Sequence, residues 1–223
     1  IAAKKSPAAP AAPNLVTRFL TDLKEGLHYL RGQPQVLALG LTMACMMAGV
    51  LSGNVLIVAL ARDVLQAGPR GFGYMEAGWA LGAVTGGVVT ELLVRRFPPL
   101  TLLILGLTML SVGHAFFPYA RFLALAVAMN ALFGGCRALS GVVAQSTIMS
   151  IVPRPLMGRT QSAFSLIMTL LQVAMSFSLG WLAQHFGLPL AFVVLGLLYG
   201  GAVAAAFRAR ALARHAPAVA TPG

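Results

Sequence analysis

Acidic residues are scarce in this sequence: five Asp and Glu stand against 16 Lys and Arg in 223 residues. Charged residues of both signs make up 9% of the chain, whereas an ordinary soluble domain carries roughly 25%, so a water-facing globule is excluded. Cysteine is nearly absent as well. Cys45 and Cys136 fall inside apolar stretches, without metal or redox spacing, which leaves no disulfide framework and no zinc site to infer. No GxxxxGK[ST] phosphate loop occurs, so ATP is not expected to drive any process from this chain. The opening residues lack the charged start, apolar centre and small-residue cleavage site of a signal peptide. They form instead the low-complexity run "AAKKSPAAPAAP" after Ile1, read as a disordered cytoplasmic linker over residues 1–13. A chain that starts with Ile1 in such a run is expected to be a piece of a longer polypeptide.

What the chain has in quantity is apolar sequence, 58% of residues with a mean hydropathy of +0.84. About 20 consecutive apolar residues cross a bilayer as a helix, and six runs qualify: Gln35 to Ala61, Tyr74 to Val94, Leu100 to Phe117, Phe122 to Val152, Thr160 to Ala183 and Pro189 to Phe207. Between them lie Pro- and Gly-containing breaks such as "RRFPP", "FPYAR", "PRPLMGR" and "HFGLP". The predicted fold is therefore an all-α membrane protein, a six-helix transmembrane bundle over 35–207 with a tail over 208–223. Ahead of the bundle, residues 14–33 place Val16, Phe19, Leu20, Leu23, Leu27 and Leu30 at helical spacing. That pattern predicts an amphipathic helix on the cytoplasmic membrane surface.

Charge fixes the expected orientation. Lys4, Lys5, Arg18, Lys24, Arg31, Arg95, Arg96, Arg154, Arg159, Arg208, Arg210 and Arg214 fall on the side of the amino terminus, and only Arg62, Arg70 and Arg121 fall opposite. By the positive-inside rule both termini are cytoplasmic. The net charge of +11 then follows from topology, and a nucleic-acid partner, which would need a clustered basic face, is not expected. An internal echo is also present: "PLTLLILGL" at 99–107 and "PLAFVVLGL" at 189–197 open the third and sixth runs. These two runs enter from opposite faces, so shared descent would give two inverted three-helix repeats; common membrane-helix residues meeting by chance is the alternative.

Arg137 sits near the middle of the fourth run with no acid close in sequence. A charge there costs about 2.5 to 3.5 kcal/mol on insertion scales, and such residues are functional hypotheses by default. Asn130, Gly134, Arg137, Gly141 and Gln145 recur at three- or four-residue steps, one helix face that must turn to a cavity or a close neighbour. Three roles for Arg137 stand open: counter-charge for an anionic substrate, salt bridge to an acid outside this chain, or donor to backbone carbonyls. On the first run Met43, Met47, Val50 and Asn54 share a face, and on the fifth Gln161, Ser165, Met168, Gln172 and Ser176 do. Adaptable methionines with sparse amides suit an amphipathic ligand, though helix packing explains them too. The last run has Tyr199 as its one polar side chain and reads as peripheral and lipid-facing. Acids avoid the midplane, Asp63 and Glu76 lying towards the outer surface and Glu91 towards the inner; Glu76 is the local candidate for proton coupling. "ALSG" at 138–141 is a near miss to an intramembrane serine protease pattern, but no base is placed to activate Ser140, and no enzyme is expected.

Three stretches carry a family resemblance. "DLKEGLHYLRGQP", "ARDVLQAGPRGFGYMEAGWALGAVTGG" and "VPRPLMGRTQSAFS" resemble, at matching places, the carboxyl-terminal six-helix half of a major facilitator superfamily transporter, especially bacterial exporters of enterobactin and drugs. The likeness covers about residues 14 to 210. It implies a secondary exporter of drugs or amphipathic metabolites working by alternating access in the inner membrane. Its partners would be an amino-terminal six-helix half, membrane lipid and a small-molecule substrate, with no cofactor beyond a proton gradient. The fourth run corresponds to the helix that lines the family's cavity, so the resemblance implies substrate contacts for Arg137, Asn130 and Gln145; Asn54, Met47 and Gln172 are substrate candidates by residue type and spacing. "GVVTELLVRR" resembles the family's loop signature through Gly87, Glu91, Arg95 and Arg96, with Leu92 and Val94 departing from it. The implied role is a gating latch, shared with Arg159, against plain topological anchoring by the same arginines. A self-sufficient six-span carrier, channel or scaffold is the alternative reading.

A cavity-lining fourth helix makes a direct demand. Cysteine placed at Gly141, one turn from Arg137, is expected to react with a polar, membrane-impermeant thiol reagent in at least one state of the full-length protein. Complete protection in every state counts against a water-filled cavity.

Overall fold

The computed structural model describes residues 15–215, except for the side chains of several residues in its first helix and that of His215. Seven helices follow one another: α1 Leu15–Gly32, α2 Pro34–Ala59, α3 Gly68–Val94, α4 Pro99–Phe116, α5 Leu123–Ile151, α6 Arg154–Phe186 and α7 Leu188–His215. A π turn, Leu60–Val64, extends α2 and a 3-10 turn, Phe117–Tyr119, extends α4. No strand occurs among the described residues. Six helices, α2 to α7 with their extensions, are 21 to 33 residues long and apolar enough to cross a membrane. The chain is thus an all-α, multi-pass membrane protein, as its composition required: in hydrocarbon a helix satisfies every backbone polar group within its own segment. The linker over 1–13 and the end of the tail lie outside the described residues.

Prolines placed the helix boundaries differently from the sequence expectation. The second span begins at Gly68 rather than Tyr74 and the fifth at Arg154 rather than Thr160, because Pro69 and Pro155 stand in first turns. There a missing N–H costs nothing and a fixed φ is already helical. Pro34 and Pro99 open α2 and α4 the same way. The residues taken as punctuation are helix starts. Chain reversal between α6 and α7 falls to Gly187, whose φ of 88° suits glycine alone. The last helix also runs past Phe207 to His215, drawing the first part of the expected tail into α7.

The packing has an internal symmetry. α3 lies along α5 as α6 lies along α2; α2 touches α7 as α5 touches α4; and α4 meets α7. Exchanging α2-α3-α4 with α5-α6-α7 maps this set of neighbours onto itself, the arrangement expected of two interlocked inverted repeats. The two echo glycines both sit at close helix approaches, Gly106 against Ser140 and Cys136 of α5, Gly196 against Ser111 of α4. Their partners differ, so the echo is not an equivalent contact in the two units.

α3 and α5 make the closest approach. A Cβ on Gly82 would strike the Ala131 carbonyl, and one on Gly134 would strike that of Trp79. Small residues let membrane helices meet backbone to backbone, where dispersion and short polar contacts replace the missing hydrophobic drive. At the other end of the bundle α1 docks on α6. Gly26 abuts the Arg159 carbonyl, and Glu25 forms an ion pair with Arg159. Of the apolar face read into α1, Leu30 is buried; the remaining side chains of that stripe lie outside the described set.

Replacing Gly82 with Ala is expected to lower the stability of the purified protein by about 1–3 kcal/mol, the usual cost of overpacking, read from denaturant unfolding in detergent. The matching control is Gly87→Ala, since a Cβ there meets nothing within 4 Å. Equal behaviour of the two variants would remove the seam from the account.

Candidate functional site

Five helices converge on a cavity of about 210 Å³ whose polar lining is Asn54, Glu76, His114, Asn130, Arg137 and Tyr199, with the indole of Trp79 beside them. Each helix contributes by register. On α5, Asn130 and Arg137 are two turns apart on one face; on α2, Met47, Val50 and Asn54 follow at helical steps. α3 supplies Glu76, α4 His114 and α7 Tyr199. Space for the phenol comes from Gly49, where a Cβ would lie 2.7 Å from the Tyr199 ring.

Arg137 is poorly served. One terminal nitrogen, Nη2, lies 3.2 Å from the Met47 sulfur, and a thioether is a weak acceptor. Its Nε is buried without a partner, and no ion pair reaches it among the described residues. A guanidinium has five N–H donors in a planar fork suited to carboxylates and phosphates. Such a group in an apolar bundle leaves a strong, directional demand for an anion or for water.

Its surroundings are better satisfied. Asn130 Nδ2 donates to the Met75 carbonyl at 2.7 Å, tying α5 to α3 beside Glu76. His114 is buried, with Nδ1 2.8 Å from the Leu110 carbonyl. A carbonyl only accepts, so Nδ1 carries a proton in this contact. The imidazole stacks on Phe133 at 4.2 Å between centroids and lies 4.9 Å from the Tyr199 ring. The cavity thus combines a cation, a carboxyl, an imidazole, a phenol and two amides in an aromatic setting, which can orient an amphipathic solute by charge at one end and ring contact along its body.

Of the expected substrate contacts, Arg137, Met47, Asn54 and Asn130 come together here, and Glu76 joins them. Gln145 and Gln172 are half-buried on α5 and α6, outside this cavity. The expected gating residues separate into different surroundings. Glu91 and Arg95 pair at 2.7 Å along α3, both 72% exposed. Arg96 is exposed at the α3–α4 turn, Gly87 faces open space, and Arg159 holds α1. Ser140 of the "ALSG" stretch is fully buried where α5 meets Gly106 of α4.

The lipid-facing reading of the last span needs correction. Tyr199 is 1% exposed, and Phe192, Leu195, Ala202 and Ala206 share its buried stripe, because α7 packs across α2 and α4. The three- and four-residue steps of that stripe were the available signal. His114 was likewise marked, one turn beyond Leu110 on the buried face of α4.

Six membrane-length helices interlocked by inverted repeats around a polar cavity define a membrane bundle built to handle a solute. No protein-family model matches the chain. It is similar to the uncharacterized MFS-type transporter YfiS of Bacillus subtilis (strain 168), with 30% identity over 205 residues, 83% of this chain and 46% of that protein. The chain spans about half the length of the curated relative it matches, and the likeness supports a membrane transporter of the MFS type.

The Asn130 bond across the seam has a measurable worth. Asn130→Ala is expected to cost about 1 kcal/mol in detergent unfolding, within the range of interhelical hydrogen bonds in membrane proteins. Asn54→Ala, which removes an exposed amide, is expected to leave stability unchanged; an unaffected Asn130→Ala would show that the bond contributes nothing.

Proposed function

We propose that this chain is the carboxyl-terminal six-helix half of a secondary transporter of the major facilitator type, exporting amphipathic anionic molecules by alternating access. The cavity around Arg137 is its wall of the substrate site. The observation that carries this reading is the guanidinium itself, set among apolar helices with a thioether as its one hydrogen-bond partner among the described residues. An intramembrane charge is retained where a substrate, ion path or partner needs it.

Two further observations support a two-half architecture. The match to the MFS-type relative takes in 46% of that protein. In addition, α3 and α6, equivalent under the internal exchange, are the two least covered spans, with 11% and 6% of their most apolar windows buried. Val84 and Val88 on α3 and Val173 and Phe177 on α6 stand open, surfaces on which an amino-terminal half would close. In this reading both termini are cytoplasmic in the inner membrane, from the charge bias of the short loops. Proton coupling, where it operates, draws on Glu76 or His114, the titratable groups that share the cavity with Arg137.

The test is uptake of a fluorescent arylsulfonate into inverted vesicles containing the full-length protein. Arg137→Gln is expected to reduce uptake by more than about tenfold, as loss of a buried charge partner does, with insertion and expression normal. Arg137→Lys is expected to retain part of the activity. Unchanged uptake with Arg137→Gln would assign the residue to structure instead.

A further inference from the structure

A second hollow lies on the other side of α3. It is an apolar groove of about 700 Å³ between α3, α4 and α5, walled by Leu81, Val89, Leu105, Met109, Leu132 and Cys136. The hydroxyl in its lining, that of Thr85, already donates to the Leu81 and Gly82 carbonyls at 2.9 and 3.0 Å. A polar solute would find no free donor there; a hydrocarbon chain would lose nothing by entering. The groove follows α3 from Leu81 to Leu93, about 18 Å at the helical rise, close to the roughly 15 Å hydrocarbon depth of one leaflet.

Two arginines stand beside its end in sequence. Leu93 and Phe97 line the groove, and Arg95 and Arg96 lie between them at the α3–α4 turn, outside the lining itself. Arg96 is exposed and has no ion pair among the described residues. Arg95 is held by Glu91 in an exposed pair, and such pairs are worth little, so exchange for a phosphate is cheap. The groove opens at a gap in the internal symmetry. α3 and α4 barely touch, whereas their counterparts α6 and α7 pack together.

We propose that the α3–α4–α5 groove binds one anionic phospholipid, with an acyl chain along the groove and its phosphate on Arg96 and Arg95. Basic sites beside spanning helices hold acidic headgroups on the cytoplasmic side of the membrane, the side to which the arginine bias of the short loops assigns this turn. The inference needs the chain to be embedded in a membrane; it does not rest on the transport reading.

The experiment uses the full-length protein in nanodiscs doped with phosphatidylglycerol or phosphatidylcholine, each carrying a diazirine in one acyl chain. After irradiation, adducts are mapped by peptide mass spectrometry. The exposed face of α7 around Leu197, 68% accessible, gives the unselective reference. Expected are adducts on the groove segments of α4 and α5, at least about fivefold more from phosphatidylglycerol than from phosphatidylcholine, the scale of one basic residue's attraction for an acidic headgroup. Arg95→Gln with Arg96→Gln should bring the two lipids level, whereas replacement of both by Lys should keep the preference. Leu105→Trp, which fills the groove without touching charge, should remove the adducts. Equal labelling by both headgroups in the unaltered protein would overturn the proposal. So would a groove without adducts, which would mean that a second copy or another part of the full chain covers it.

Discussion

The contact on which this bundle depends is the backbone-to-backbone meeting of α3 and α5. In hydrocarbon there is no hydrophobic drive to hold helices together, so packing density and short polar bonds must do it. With glycine at 82 and 134, the two helices come close enough for Asn130 to reach the Met75 carbonyl. That bond in turn fixes the rotation of α5. Once the rotation is fixed, Arg137 faces α2 and Met47, and the polar cavity is a consequence of the seam.

The same geometry explains why the two hollows of the molecule differ so sharply. On one side of the seam, five helices bring a cation and five other polar groups into a small space. On the other, α4 splays from α3 after Pro98 and Pro99, and the space between them is wholly lined by apolar groups and one satisfied hydroxyl. Volume is no guide to chemistry here. The smaller hollow holds the unmet hydrogen-bond demand, and an unmet demand inside a membrane is the costlier feature to keep.

The spans were legible in the sequence because hydrocarbon enforces long uninterrupted apolar runs, and Arg137 was legible because it breaks one. What escaped were features set by how helices turn about their own axes. Tyr199 looked lipid-facing in a run of small residues, yet its stripe with Phe192 and Leu195 is the face that α7 buries. Which helix faces close around the Arg137 cavity was not legible either, Gln145 and Gln172 standing outside its lining. The helix starts at Gly68 and Arg154 were hidden by prolines that serve equally as breaks and as first-turn residues. The apolar groove left no mark in any single segment, since it exists only where three helices fail to close on one another.

The interlocked pairing also separates the order in which the chain is made from the order in which it packs. Among these six spans α2, the first to be made, has its chief neighbours in α6 and α7, made after the others. α3 waits for α5 across the whole of α4. Neither three-helix unit can bury its own inner face, so early helices enter the bilayer with Gly82 against lipid. Compaction comes after insertion, when long-range partners meet by diffusion in the plane of the membrane. For a bundle tied this way, the closing of α7 over α2 and α4 completes the core of these six helices, and without α7 the earlier spans would be inserted segments with no common core.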